Sequence, residues 1–384
     1  MTKKKRKICF VITSEIHYSR GKLILAELKK RKDVDLKIVV GGSSLLRNYG
    51  DTIGFMEKDG FKPDAHILMT VEGSNPVAMA KTTGLGIIDF TTIFENMKPD
   101  VVVVRGDRYE ILSPVIAAVN LNISVAHIEG GDVSGTIDES IRHAVTKLSH
   151  IHFPTNIGSK KRLIRMGEDP KYVFDMGAPE VEYIQQNDFS ITNEELNIIG
   201  VGHSMDLKKP YIIVMNHPVT TEYGQNRSHT IEILDTIREL GVQTMWFWPN
   251  PDAGGDEISK AIREYREKYD LKNVRFLLYV APEHFYALLK KAACLVGNSS
   301  TGIKECSYLG IPTVNIGTRQ SGRTRGDNVI DVPYKKKHIR KVIDKQIAHG
   351  KYKKSNLYYK KNTSKRIADK LATIDLYTQK RFVD

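Results

Sequence analysis

The chain has 384 residues, 41% of them hydrophobic and 27% charged, with three cysteines and a formal net charge of +13. That length exceeds one ordinary core and suits two domains, while the apolar fraction excludes a disordered chain and the strand-sized apolar runs argue against a transmembrane helix. Cys9, Cys294 and Cys306 stand at no motif spacing, which argues against a disulfide framework or zinc site and for a reducing, cytoplasmic setting.

The chain opens on a basic run, Lys3-Lys4-Lys5-Arg6-Lys7, whose following apolar stretch is too short for a secretion signal; it reads as a solvated tail entering the first strand. The rest of the positive excess lies between Lys335 and Lys361. Neither cluster accompanies zinc-finger spacing or a stacked-aromatic sheet signature, so nucleic acid is not an expected partner.

Lys7 to Thr13 predicts a buried strand, Lys22 to Lys32 a helix and Leu36 to Val40 a second strand, the opening of a doubly wound sheet. Val101 to Val104 is an almost pure valine strand breaking into Gly106-Asp107-Arg108. A short helix from Pro114 to Asn120, a strand from Asn122 to His127, a helix from Asp138 to Ser149 and a strand from His150 to Thr155 follow. All-apolar strands separated by helices imply a parallel sheet covered on both faces. Gly177-Ala178-Pro179 reads as a break, and the polar, Asn-rich stretch to Lys209 as the domain boundary.

Tyr211 to Met215 restarts the pattern. Strands are predicted at Thr244–Trp248, Val274–Val280, Ala293–Gly297 and, as the last clear one, Pro312–Ile316. Helices are predicted at Ile231–Leu240, Ile258–Tyr269, Phe285–Lys291 and Ile303–Leu309. Two consecutive Rossmann-like units result, with their strand ends facing across a cleft.

The stretch from Ala126 to His143 concentrates Glu129, Asp132, Asp138 and Glu139 with His127, His143, Arg142 and three glycines between a strand end and an amphipathic helix. Open α/β sheets hold ligands at such strand-to-helix loops. Asp107 and Arg108 end the neighbouring strand. Parallel strands lie about 5 Å apart, so Asp107 and Glu129 can face one cavity. Carboxylates held together push their pKa values apart, leaving one as acid and one as base. The alternative makes Asp138 an N-cap and Asp107 a turn former. It explains Glu129 poorly, because an unpaired buried carboxylate is costly. His127 and His143 could with these acids hold a metal, but their spacing fits no standard ligand set and no metal is expected.

Gly297-Asn298-Ser299-Ser300-Thr301-Gly302 precedes a helix and forms a diphosphate cradle, with the Ser299 and Ser300 hydroxyls as further donors. An ordinary N-cap loop is the alternative. Glu305 stands to accept from ribose hydroxyls, and Arg319 brings a cation off the next strand. His217, in Asn216-His217-Pro218, can donate to a phosphate or act as acid toward a departing one, or can be a satisfied polar group at a strand end.

These residues carry a resemblance. Gly106-Asp107-Arg108-Tyr109-Glu110, the run from His127 to His143, His217-Pro218-Val219-Thr220-Thr221, Gly297-Asn298-Ser299-Ser300 and Gly317-Thr318-Arg319-Gln320 resemble, in chain order, the hydrolysing UDP-N-acetylglucosamine 2-epimerases. The resemblance implies a GT-B fold of two Rossmann-like, doubly wound α/β domains with the active site in the cleft, assembled as a homodimer or homotetramer. It implies a UDP-sugar substrate, no cofactor, no metal, and no membrane or nucleic-acid partner. It implies loss of UDP with the C2 proton to give a 2-acetamidoglucal, then hydration to N-acetylmannosamine. Its catalytic positions match Asp107, Glu129, Asp138 and His217. Its substrate-binding positions match Arg108, Asn250, Ser299, Ser300, Glu305 and Arg319, with Val280 offering backbone to uracil. Asp107 and Glu129 would share the acid–base work, and His217 would stabilise or protonate the leaving diphosphate.

Expected domains are 1–180, carrying the carboxylates; 181–365, binding UDP; and 366–384, a C-terminal helix packing back on the first. The chain departs from the family at Ser14-Glu15-Ile16-His17-Tyr18, where Glu15 would repel a diphosphate unless the loop turns away or Arg20 supplies a cation. Three readings stay open: this reaction on UDP-N-acetylglucosamine or on a diacetamido-trideoxy sugar, a GT-B glycosyltransferase sharing the Ser299, Glu305 and Arg319 donor site, and a basic binding protein on a decayed fold.

Overall fold

The computed structural model describes residues 4–384; Met1, Thr2 and Lys3, where the basic tail begins, lie outside the described residues. The first six strands, β1 (Arg6–Ile12), β2 (Val34–Gly41), β3 (Ala65–Ile67), β4 (Val101–Arg105), β5 (Ser124–Ile128) and β6 (Ile151–Phe153), form a parallel sheet in the order β3-β2-β1-β4-β5-β6. Alternation along β1 shows why it is apolar throughout. Ile8, Phe10 and Ile12 join one core with Val101 and Val103, while Cys9 and Val11 join another with Val102 and Val104. A strand with both faces covered has no polar side.

The second sheet comprises β7 (Val201–Gly202), β8 (Tyr211–Met215), β9 (Gln243–Phe247), β10 (Val274–Leu277), β11 (Cys294–Gly297), β12 (Thr313–Ile316) and β13 (Val329–Val332), in the order β13-β12-β11-β8-β9-β10-β7. Leaving aside β7, which runs antiparallel at the β10 edge, this repeats the connectivity of the first sheet. Each sheet therefore reverses its winding once, at β1/β4 and at β8/β11. A crevice opens beyond the strand ends at such a switch point. The loops after β1, β4, β5, β8 and β11 all lead there.

Several elements differ from expectation. The first helix starts at Glu15, well before Lys22, because the turn at Ser14 leads directly into it. The stretch between β3 and β4 holds the longest helix, Pro76–Met97, which by length and composition is apolar enough to cross a membrane. Here Phe90 and Phe94 pack into the core beside Val102 and Val104. Pro179 does not break the chain: it occupies the first turn of the helix Pro179–Gln186, where its missing N–H costs nothing. The strand β13 follows Ile316. A 3₁₀ turn, Ser300–Gly302, precedes a five-residue helix, Glu305–Leu309, in place of one continuous helix.

The C-terminal helix covers Thr363–Thr373, not 366–384. Ile367 and Leu371 are fully buried against the β1 core, each contributing about 1.5–3 kcal/mol. Beyond it the backbone is spent on the first domain instead of on helix. Ser124 Oγ donates to the Tyr377 carbonyl at 2.6 Å, and Lys380 Nζ donates to the Thr146 and Ser149 carbonyls at 2.8 and 2.6 Å.

Candidate active site

A cavity of ≈ 280 Å³ lies between the two sheets, at the lower end of the range for small-molecule sites. It is lined by every residue that the resemblance matched to catalysis or substrate binding: Asp107, Arg108, Glu129 and Asp138 from the first domain, and His217, Asn250, Val280, Ser299, Ser300, Glu305 and Arg319 from the second.

Local backbone aims the acids. Gly106 sits at φ 82°, which turns the chain off β4 toward the cleft, and His127 Nε2 donates to its carbonyl at 2.8 Å. His127 is thus a brace for the Asp107 turn. Glu129 follows β5 at φ 78°, a strained conformation for a residue with a Cβ, held by its N–H donating to the Phe153 carbonyl at 3.0 Å. Thr136, not Asp138, caps the Ile137–Leu148 helix: its hydroxyl accepts from the Asp138 N–H at 3.3 Å, leaving the Asp138 carboxylate for the cavity. Glu139 accepts from the Ser134 N–H at 2.6 Å and so serves the loop. At Gly135 a Cβ would fall 1.9 Å from the Thr318 carbonyl oxygen, so the two domains meet there with no room for a side chain.

Cations sort the acids into unequal states. Asp107 pairs with the fully buried Arg142, and Arg323 of the second domain lies 3.8 Å away. Burial alone would raise Asp107, but these two guanidinium groups outweigh it and bring it below the ordinary carboxylate range. Asp138 is pushed up to about 6, by burial first, then by Asp107 and Asp252, against the pull of Arg319 and Arg142. The split pair is therefore Asp107 with Asp138. Glu129 belongs to a different set: Arg105 Nη2 lies 2.9 Å from its Oε2, and Lys304 pairs with its Oε1.

Across the cleft, His217 is pushed down to about 3 by burial, Arg319 and Arg108, so the ring is neutral. Its Nδ1 accepts from the Asn250 N–H at 3.4 Å, which puts the single ring proton on Nε2. As it stands, His217 offers a neutral N–H and not an imidazolium acid. Arg319 lies 3.8 Å from Asp138 and also donates to the Asn298 carbonyl at 3.2 Å. Arg108 spans the domains, 2.9 Å from both Glu110 and Asp252.

The departure at Glu15 is resolved in two parts. Glu15 lines the cavity but is pushed up to about 7 by burial, which weakens its repulsion toward an anion near neutral pH. Arg20, one helical turn on, supplies a cation, donating to Glu305 at 2.7 Å and to Ser300 Oγ at 3.5 Å. Glu305 thereby differs from the expectation of a free ribose acceptor. Its Oε1 is taken by Arg20, and its buried Oε2 is left without a partner, beside the cavity. Among the described residues no group of acids, histidines and cysteines is arranged to hold a metal.

Sequence reading missed the buried charges behind these acids. Arg105 closes an all-valine strand, and Arg142 lies one turn after Asp138 on the same helix; both were signals of a sort. Glu180, Lys304 and Arg323 gave none, since only the meeting of the domains surrounds them with charge.

Comparison with known proteins places this geometry. The UDP-N-acetylglucosamine 2-epimerase family signature matches residues 26–372. A Legionella pneumophila protein named UDP-N,N'-diacetylbacillosamine 2-epimerase (hydrolyzing) is 35% identical, over 97% of this chain and 97% of its own. A Neisseria meningitidis UDP-N-acetylglucosamine 2-epimerase is 30% identical over 99% of each chain. The crystal structure of the Methanocaldococcus jannaschii UDP-GlcNAc 2-epimerase in complex with UDP-GlcNAc and UDP superposes with a TM-score of 0.75, at 19% identity, over 95% of this chain and 99% of that one. The architecture is accordingly GT-B-like: two parallel-sheet α/β domains about a cleft.

Proposed function

The chain belongs to the UDP-N-acetylglucosamine 2-epimerase family, and from that premise we propose a hydrolysing 2-epimerase that releases UDP and an N-acetylmannosamine-type sugar. The observation that carries the reading is the opposition, within one cavity, of three acids, with Asp107 lowered and Asp138 raised to about 6, to a cationic, hydroxyl-lined wall. Ser299, Ser300, Arg319 and the neutral Nε2–H of His217 face the diphosphate, while Val280 and Asn250 border the nucleoside.

The C2 proton is not adjacent to a carbonyl, so loss of UDP must run ahead of its removal. The C1–O bond breaks with its electron pair leaving on UDP. Glu129 or Asp107 takes the C2 proton, and the C–H electrons form the C1=C2 double bond. Asp107, held below the ordinary carboxylate range, and Glu129 stabilise the positive charge that develops at C1. Asp138, protonated below about pH 6 in the free protein, returns a proton to C2 from the other side while water adds its oxygen to C1 and its released proton passes back to the Asp138 carboxylate or to solvent.

A second sugar is favoured by a specific observation: the relative at 35% identity is named for UDP-N,N'-diacetylbacillosamine. We propose the 2-acetamido group and UDP as the shared requirement, with UDP-N-acetylglucosamine and the diacetamido-trideoxy sugar as the two candidates. A homo-oligomer is supported by Leu68, Val77, Leu85 and Ile88, apolar side chains left exposed on and beside the Pro76–Met97 helix. A cytoplasmic setting is supported by three buried free thiols.

The test is incubation with each sugar nucleotide in D2O, without acceptor, followed by NMR. Free UDP and a 2-epimeric sugar carrying deuterium at C2 is the expected outcome. An epimerised UDP-sugar would place the enzyme in the non-hydrolysing branch, and turnover only with an added acceptor would make it a glycosyltransferase.

A further inference from the structure

Glu129 is clamped from both domains. Arg105, on its own sheet, holds Oε2 at 2.9 Å; Lys304, from the loop between β11 and β12 of the other domain, pairs with Oε1. Glu129 borders the cavity, whereas Lys304 is fully buried behind it, 3.7 Å from Glu180 Oε1 and 4.0 Å from Asp132 Oδ2. Glu180, also fully buried, ties the cluster together: its Oε2 accepts from Arg105 at 2.7 Å and its Oε1 lies 3.8 Å from Arg20. A lysine in such a place is costly unless its partners repay its lost hydration. The pairing also requires the domains to be closed, since its members hang from different sheets.

We propose that Lys304 is a positioning residue: by reaching across the domain boundary it fixes the Glu129 carboxylate toward the sugar, so that the base is assembled only when the cleft closes. The inference rests on Glu129 taking part in proton transfer.

The charged groups facing the pair are Arg105 from β4, Glu180 from the Pro179–Gln186 helix, Asp132 from the loop after β5, and Arg20, Arg323 and Glu305 from the cleft walls. Burial, then Arg323, Arg20 and Arg105, push Lys304 well below the ordinary lysine value. Removing the lysine leaves the carboxylate one donor short in a dry site, and its charged form becomes harder to maintain.

The experiment compares wild type, Lys304→Met, Lys304→Gln and Glu129→Gln, with UDP-N,N'-diacetylbacillosamine and UDP-N-acetylglucosamine as substrates, from pH 5 to 9. For Lys304→Met, kcat is expected to fall roughly 10- to 100-fold, the penalty typical of a misplaced catalytic group. KM and UDP affinity should change little, and the acid limb of the kcat profile should move to higher pH. Lys304→Gln retains an N–H donor and should recover part of kcat; it also serves if the methionine variant does not fold. A uniform loss at every pH, with the limb unmoved, would reduce Lys304 to a structural role and overturn the proposal. So would wild-type kcat in both lysine variants. If Glu129→Gln itself turns over normally, the acid–base reading fails first, and the two failures are told apart by that variant.

Discussion

Replacing Arg142 with Met tests whether the depressed state of Asp107 is real and where it comes from. Arg142 is fully buried, pairs with Asp107, donates to the Asp132 carbonyl at 3.0 Å and lies 3.2 Å from Ser134 Oγ. Breaking a buried ion pair by removing one partner costs about 3–5 kcal/mol, because the other charge is left behind. Two features reduce this. The Asp107 side chain keeps 22% exposure, and Arg323 remains 3.8 Å away. We therefore expect a loss of about 2–3 kcal/mol at pH 7, or roughly 4–12 °C in Tm for a domain of this size.

The sign of the pH dependence follows from the direction of the shift. Asp107 is lowered in the folded protein, so its stabilisation is complete above its unfolded value and is lost as pH falls below it. The gap between wild type and Arg142→Met should be widest above about pH 5 and narrow below about pH 4, where the unfolded carboxyl takes up its proton. Urea unfolding at several pH values measures it. Adding Asp107→Asn to Arg142→Met should restore part of the stability, since the stranded charge is gone. A Tm within 1 °C of wild type, or a gap that does not change with pH, would refute the assignment.

Two further predictions concern the cleft groups. Asp107→Asn removes an anion that holds Asp138 near 6, so the Asp138 carboxyl, followed by 13C NMR in selectively labelled protein, should titrate at lower pH; an unchanged midpoint would mean that burial and Asp252 raise it without Asp107. His217, pushed down to about 3, should show no ring titration between pH 5 and 9 in the ligand-free protein, with 15N shifts of a neutral Nε2–H tautomer; a midpoint near 6.5 would return it to the role of imidazolium acid.

The sequence by itself determined the two sheets, because unbroken runs such as Val101–Val104 and Tyr211–Met215 have no polar face and must be covered on both sides. It also placed the acids and hydroxyls at strand ends, since Gly106 and Gly297 mark where the chain leaves a strand at positive φ. It was blind to the Pro76–Met97 helix, whose outer face is as apolar as much of its inner one and so carries little amphipathic signal. Protonation was beyond it altogether. Whether Asp107, Glu129 or Asp138 is ionised depends on Arg142, Arg323, Arg105, Lys304 and Arg319, which come from scattered parts of the chain and from both domains. Charge interactions act through space and strengthen as water is excluded. Folding of the first domain brings Arg105 and Arg142 to the carboxylates, and only the closing of one domain on the other adds Lys304, Arg319 and Arg323 and removes the water between them.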